Sequence, residues 1–214
     1  MGAIAVSVRI IETDADVAKD AIALCAMCSR LADAFTQTGQ LPLRRKPDGF
    51  AELLSAIVSQ QVSVASANAI WARMQEAGLT APAPVLRAGE GGLRAAGLSR
   101  QKIRYAQELA RAGIDWVALR AMPTDAVLKT LTQVPGIGTW TAEIYAMFSL
   151  GHADVFAHGD LALQEAARIL YDLPERPDER AMRVIAAEWS PYRSVAARLL
   201  WAYYRVAKQR EGIR

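Results

Sequence analysis

The sequence predicts an all-α protein, and three observations carry that prediction. Alanine and leucine dominate the 214 residues while strand formers are sparse, a composition that favours helices. Apolar residues recur at helical spacing, most clearly at 53, 54, 57, 58, 62, 65, 69, 70 and 74. Gly- and Pro-containing breaks cut the chain into roughly ten short helices, with no period that suggests a tandem array.

Taken in order, residues 1–12 (MGAIAVSVRIIE) form an apolar lead that suits a strand or an extended arm. TDAD at 13–16 offers N-caps for a helix running to about Phe35. The stretch TQTGQLPLRRKPDGF then ends that helix with Gly and two Pro. The periodic segment 49–74 reads as two helices meeting near Ser63. Its SQQVS centre puts two glutamines into an apolar pattern, either at a solvent-facing kink or at a surface that touches a ligand. Residues 78–97, rich in Ala, Pro and Gly, predict a loop. Helices follow near 99–112, at 115–120 and from Thr124.

LKTLTQVPGIGTWTAEIYAMFSL, from Leu128, reads as helix, tight hairpin, helix. Gly136 and Gly138 permit positive φ and close approach of another backbone. The second helix starts at Thr139 or Trp140, and its N–H groups then form an anion site that glycine leaves open to a phosphate. A plain αα-hairpin turn is the simpler alternative. SPYRSVAARLLWAYYRVAK supplies a last helix starting at Ser190 or Pro191; Arg193 with Ser194 could reach phosphate or brace Asp160.

The net charge of +3 and a pI near 9.0 permit an anionic partner without demanding one. LRRKP at 43–47 and SRQKIR at 99–104 are the basic clusters. Cys25 and Cys28 lack a second cysteine pair and any nearby histidine, so a reduced pair on one apolar helix face is expected, and no metal. No apolar run approaches membrane-span length, and no basic leader with a cleavage site opens the chain. A cytoplasmic, nucleoid-associated protein without a membrane partner is the expectation.

VPGIGTWTA followed by DVFAHGDLAL resembles the helix-hairpin-helix (HhH-GPD) superfamily of DNA base-excision glycosylases, and FAELLSAIVSQQVS and GLSRQKIRYAQELA match its preceding segments. The likeness runs from about Leu41 to Lys208. It implies two helical subdomains with the active site in the cleft between them, built as an arm and helix at 1–40, a glycosylase domain at 41–208 with its hairpin at 127–150, and a tail at 209–214. Within the superfamily the likeness is greatest to 3-methyladenine DNA glycosylase II. Lyase-active relatives carry a lysine where this chain has Trp140, so no Schiff base is expected. No cysteine follows Cys28, so the iron–sulfur cluster of other branches is not expected either, and no cofactor is implied.

The resemblance assigns roles residue by residue. Asp160 is the catalytic carboxylate, stabilising the positive charge that builds on the sugar as the base departs and orienting water. Trp140, Trp201 and Ile144 match base-pocket positions, where aromatics attract a cationic alkylated purine by roughly 0.5–2 kcal/mol each. Ile144 stands where some relatives have tyrosine, and Ala157 where a proline is often seen. Gln61 matches the wedge that fills the stack when a nucleotide is flipped out, with Gln60 or Val62 as alternates. Gly136, Gly138, Thr139 and Thr141 match the phosphate-binding hairpin. From the residues alone Asp160 is equally an N-cap, since it immediately precedes the helix LALQEAARILY. The two roles are compatible, because helix N–H groups favour an anion there. Asp154 is the competing carboxylate. Trp71, Trp116 and Trp189 are assigned to packing or surface, and His152 and His158 to a surface that could face DNA. The implied partner is double-stranded DNA containing damaged bases, bound by a monomer.

Overall fold

The computed structural model describes residues 8–208; the first part of the N-terminal lead and the 209–214 tail lie outside them. In chain order the helices are α1 (Asp14–Met27), α2 (Ser29–Thr38), α3 (Phe50–Ser59), α4 (Val64–Glu76), α5 (Pro82–Ala95), α6 (Arg100–Arg111), α7 (Trp116–Ala121) and α8 (Thr124–Thr132). Then come α9 (Thr139–Tyr145), a π-helical stretch (Ala146–Leu150), α10 (Leu161–Leu170), α11 (Glu179–Ala187) and α12 (Arg193–Lys208). Among the described residues the only β-type pairing is one isolated antiparallel bridge, Ile10 with His152. It leaves residues 8–12 extended, with Ile11 donating to the Gly151 carbonyl at 2.7 Å.

The described residues fall into two units, one made of 8–45 with 146–208, the other of 46–145. In the first, α12 is the central helix, packed on by α1, α2 and α10. Every residue from Ser194 to Tyr203 is buried, as expected of a helix covered all round. Alanines at 196, 197 and 202 let the neighbouring helices approach. Arg198 is the one charged residue in that stretch, and it is satisfied internally. Its guanidinium donates to the Leu43 carbonyl at 3.0 Å and to the Ser194 carbonyl at 2.9 Å, and lies 4.8 Å from the Phe148 ring centroid. Burial, with Arg44 and Arg45 nearby, pushes its pKa down to about 9.

In the second unit, α3 packs on α4 and α6, α5 on α6, and α8 on α9. The Lys102 ammonium lies buried in the α6–α3 contact and donates to the Val58 carbonyl at 2.7 Å. Ser63 caps α4, accepting from the Ser66 amide, so the break between the two helices of 49–74 falls where the spacing put it.

Three expectations need correction. The first helix does not run unbroken to Phe35: Cys28 adopts extended angles (φ −144, ψ 110) and separates α1 from α2. The two cysteines therefore do not share one buried helix face, and both are half-buried free thiols. Residues 82–95 are helical rather than loop, because Pro82 suits a first turn and Val85 and Leu93 are buried. The glycine content shows instead as a kink at Gly89, φ 60.

Candidate functional site

In the first unit, the turn His158–Gly159–Asp160 delivers a carboxylate to the start of α10. Asp160 is the N-cap: its Oδ1 accepts from the Ala162 and Leu163 amides, both at 3.0 Å. The same oxygen accepts from the Trp201 indole Nε1 at 3.2 Å. Three donors converging on one atom fix the carboxylate in orientation, and burial (5% exposed) excludes most of its bulk solvent. The turn is closed by Asp160 N–H to the Ala157 carbonyl at 3.0 Å. From α10, the buried Gln164 side chain donates back to the His158 carbonyl at 2.9 Å. Ala157 itself is fully buried, so this loop is held by packing and hydrogen bonds in place of a proline ring.

Trp201 is buried, and its ring lies 5.7 Å from Phe148, tilted by 31°. Arg198 stacks on that same Phe148. A line of contacts thus runs from the Asp160 carboxylate through Trp201 and Phe148 to a buried cation. Asp160 also lines a pocket of about 600 Å³ with Leu161, Ala162, Glu165, Arg176, Tyr204 and Lys208. Hydrogen bonds from Arg168 and Lys208 hold the Glu165 carboxyl down at about 2.

Several expected neighbours of Asp160 are placed elsewhere. Arg193 pairs with Asp154, Nε to Oδ1 at 2.6 Å, and Ser190 donates to the other oxygen at 2.8 Å. Asp154 is therefore a structural tie to the start of α12, which begins at Arg193 and not at Ser190 or Pro191. Ser194 serves α12 and Arg198, its hydroxyl accepting at 2.5 Å. His152 and His158 are buried, not surface groups. His152 joins the bridge to Ile10, and burial beside Arg45 lowers its pKa to about 4; His158 packs its ring 5.3 Å from Phe156. Trp189 is core, while Trp71 and Trp116 are half-buried.

The second unit carries the hairpin and the glutamine turn. Between α8 and α9, the Val134 amide donates to Leu131 and the Ile137 amide to Val134, and both apolar side chains are buried. The two glycines differ. Gly136 has φ 94, and a Cβ there would lie 2.4 Å from Tyr105 Cγ, so the Tyr105 ring fills its space. Nothing lies within 4 Å of a Cβ built at Gly138. Gly138, Thr139 and Trp140 are consecutive exposed residues, with Thr141 half-buried behind them. Trp140 (44% exposed) and the half-buried Ile144 share a face of α9 at i, i+4 spacing.

Gln61 is exposed and adopts φ 54, rare for a residue with a Cβ. Gln60 turns the other way, its Nε2 donating to the Gly136 carbonyl at 2.9 Å. Sequence reasoning missed Tyr105, Phe148, Arg198 and Gln164, whose roles depend on contacts across the fold; the nearest signal was Arg198, a charge inside an apolar helix. Among the described residues no three His, Cys, Asp or Glu side chains are grouped to hold a metal. No described helix is long and apolar enough to cross a membrane.

Residues 54–191 match the family described as HhH-GPD superfamily base excision DNA repair protein. The chain is 29% identical over 178 residues to DNA-3-methyladenine glycosylase 1 of Schizosaccharomyces pombe, covering 79% of this chain and 78% of that protein. It is 28% identical over 168 residues to DNA-3-methyladenine glycosylase 2 of Escherichia coli, covering 72% of this chain and 57% of that longer protein. Among solved structures it superposes on a DNA-3-methyladenine glycosidase from Bacillus halodurans with a TM-score of 0.79 and 33% identity, over 94% of each chain. The S. pombe 3-methyladenine DNA glycosylase, solved in complex with abasic DNA, matches with a TM-score of 0.72 and 26% identity, over 89% of this chain and 97% of that one.

Proposed function

Because the chain belongs to the HhH-GPD superfamily of base excision DNA repair proteins, we propose that it is a monofunctional DNA glycosylase. On this reading it flips alkylated bases of the 3-methyladenine and 7-methylguanine type out of double-stranded DNA and hydrolyses their N-glycosidic bonds. The 3-methyladenine glycosylases among its relatives support the substrate class. The observation that carries the chemistry is the Asp160 carboxylate, held through Oδ1 by two amides and the Trp201 indole beside an open pocket.

Departure of a cationic base needs little help at the leaving group, so one carboxylate suffices. Asp160 stabilises the positive charge developing on the sugar and orients the attacking water. The exposed Trp140 indole, with Ile144 on the same helix face, offers a surface on which an electron-poor purine can stack. Trp201, matched to a base-pocket position, also holds the carboxylate. Gln61, at the exposed turn after α3, is the wedge that occupies the vacated stack. Gly138, with Thr139 and Thr141, takes backbone phosphate, while Gly136 shapes the turn that presents them.

Trp140 at the lyase position supports release of the base without strand cleavage, since an indole forms no imine. Incubating the protein with methylated duplex DNA and identifying the released bases by chromatography tests the substrate class. Release of oxidised or deaminated bases alone would overturn it. Borohydride should trap no protein–DNA adduct, and the product strand should break only after alkali. An adduct abolished by replacing Lys129 on α8 would make the enzyme a lyase.

A further inference from the structure

We propose that Gln60 is a positioning residue that couples the Gln61 turn to the phosphate-binding hairpin, so that gripping the backbone and extruding the base act as one event. The proposal rests on the reading of Gln61 and the hairpin as DNA contacts.

The geometry begins at the end of α3. Ser59 is the last helical residue, and Gln60 leaves the helix with ψ 132. Its carboxamide then reaches a residue 76 positions away and donates to the Gly136 carbonyl at 2.9 Å. That carbonyl is itself held in place. Gly136 sits at φ 94 against the Tyr105 ring, and the Tyr105 hydroxyl accepts from Gln101 at 2.7 Å. Two residues before Gln60, the Val58 carbonyl is bound by the buried Lys102 ammonium at 2.7 Å. The end of α3 is therefore tied twice, once to α6 and once to the hairpin.

The very next residue, Gln61, has φ 54. A side-chain-bearing residue stays in that region only where its surroundings over-determine it. Gln60 supplies the tie on one side, and the Ser63 cap of α4 closes the other. Beyond each end of the Gln60–Gly136 bond lies an exposed segment, 61–66 on one side and 138–140 on the other. A bond that served packing alone would join two covered surfaces. This one joins two half-buried residues, each leading toward an exposed segment.

The test compares one methylated purine in two duplexes, fully paired or placed opposite an abasic site, by single-turnover excision. An unpaired base costs less to extrude, so the wedge matters less there. Gln60→Ala should slow excision about tenfold in the paired duplex, the scale of one lost hydrogen bond. The deficit should shrink to less than about twofold in the unpaired one. Gln60→Glu keeps the size and loses the donor, and should show the same pattern; it decides the matter if the alanine variant is not folded by circular dichroism. In a Gln61→Ala background, Gln60→Ala should add less than about twofold, because the two act through one element. Equal deficits on both duplexes, or none in a folded variant, would overturn the coupling. If Gln61→Ala itself is blind to base pairing, the wedge reading falls and takes the proposal with it. A pairing-dependent Gln61→Ala beside a pairing-blind Gln60→Ala overturns the coupling alone.

Discussion

The indole N–H of Trp201 donates to the same oxygen of Asp160, Oδ1, that accepts the first-turn amides of α10. One atom is thus both a helix cap and the acceptor of a core tryptophan. The cap and the catalytic role proposed for Asp160 are consequently separable by substitutions that keep one and remove the other.

Asp160→Asn keeps the capping oxygen, and asparagine caps about as well as aspartate. The melting temperature should stay close to the parent's, and DNA affinity with it. Single-turnover excision of a methylated purine should fall by about 10²–10³, the scale of losing one charge-stabilising group. Full activity in a folded variant would return the chemistry to another carboxylate. Asp154 is poorly suited to take it, bound as it is by Arg193 and Ser190.

Trp201→Phe retains a ring beside Phe148 and removes only the donor to Asp160. A hydrogen bond to a charged group contributes about 1.5–3 kcal/mol. Excision should slow by about tenfold or more, while binding of an abasic-site duplex changes less than about twofold. Equal losses in rate and binding would show that the ring, not its N–H, carries the effect.

The hairpin glycines should respond in opposite ways. Gly136→Ala meets both a positive φ and the Tyr105 ring, so it should destabilise the fold by about 1–3 kcal/mol in urea titrations. Gly138→Ala has open space and should be close to neutral for stability. Gly138→Glu should remain folded and bind damaged and undamaged DNA equally poorly by anisotropy, since phosphate contacts carry no base information.

Acid should weaken the fold through His152. Burial, with the Arg45 charge beside it, takes its imidazole down to about 4. Between the ordinary value near 6.5 and pH 4, the unfolded chain binds a proton that the folded chain does not. Stability is therefore fully present above about pH 6.5 and declines as the pH falls through 4, by at most about 3 kcal/mol from this group. Urea midpoints across that range should fall with pH, and His152→Gln should flatten the slope.

What the sequence disclosed was what short stretches of chain decide. The helix break near Ser63, the turn around Gly136 and Asp160 before α10 all depend on residues within a few positions, and each stands where the pattern put it. The loop expected at 78–97 failed because Val85 and Leu93 find a buried face that outweighs the glycines around them. The break at Cys28 has no Gly or Pro to announce it. Arg193 was legible as a charge in the first turn of a helix, but its partner Asp154 lies 39 residues away. Likewise, nothing near Tyr105 says that its ring fills the space over Gly136. Pairings of this kind belong to the folded core and have no local signature.

The helix that bears Trp201 is covered on every side from Ser194 to Tyr203, and that sets where this enzyme's diversification can begin. A new side chain at 201 must be accommodated by Phe148 and Asp160 together, so, with 140, 144 and 201 read as base-pocket positions, single steps at 201 are penalised before any altered preference can be selected. Trp140 and Ile144 on α9 face no such veto, being partly open to solvent. Descendants that acquire other lesions should therefore differ first on α9 and last on α12, and libraries that vary 140 and 144 with 201 held constant should yield more active members than the reverse.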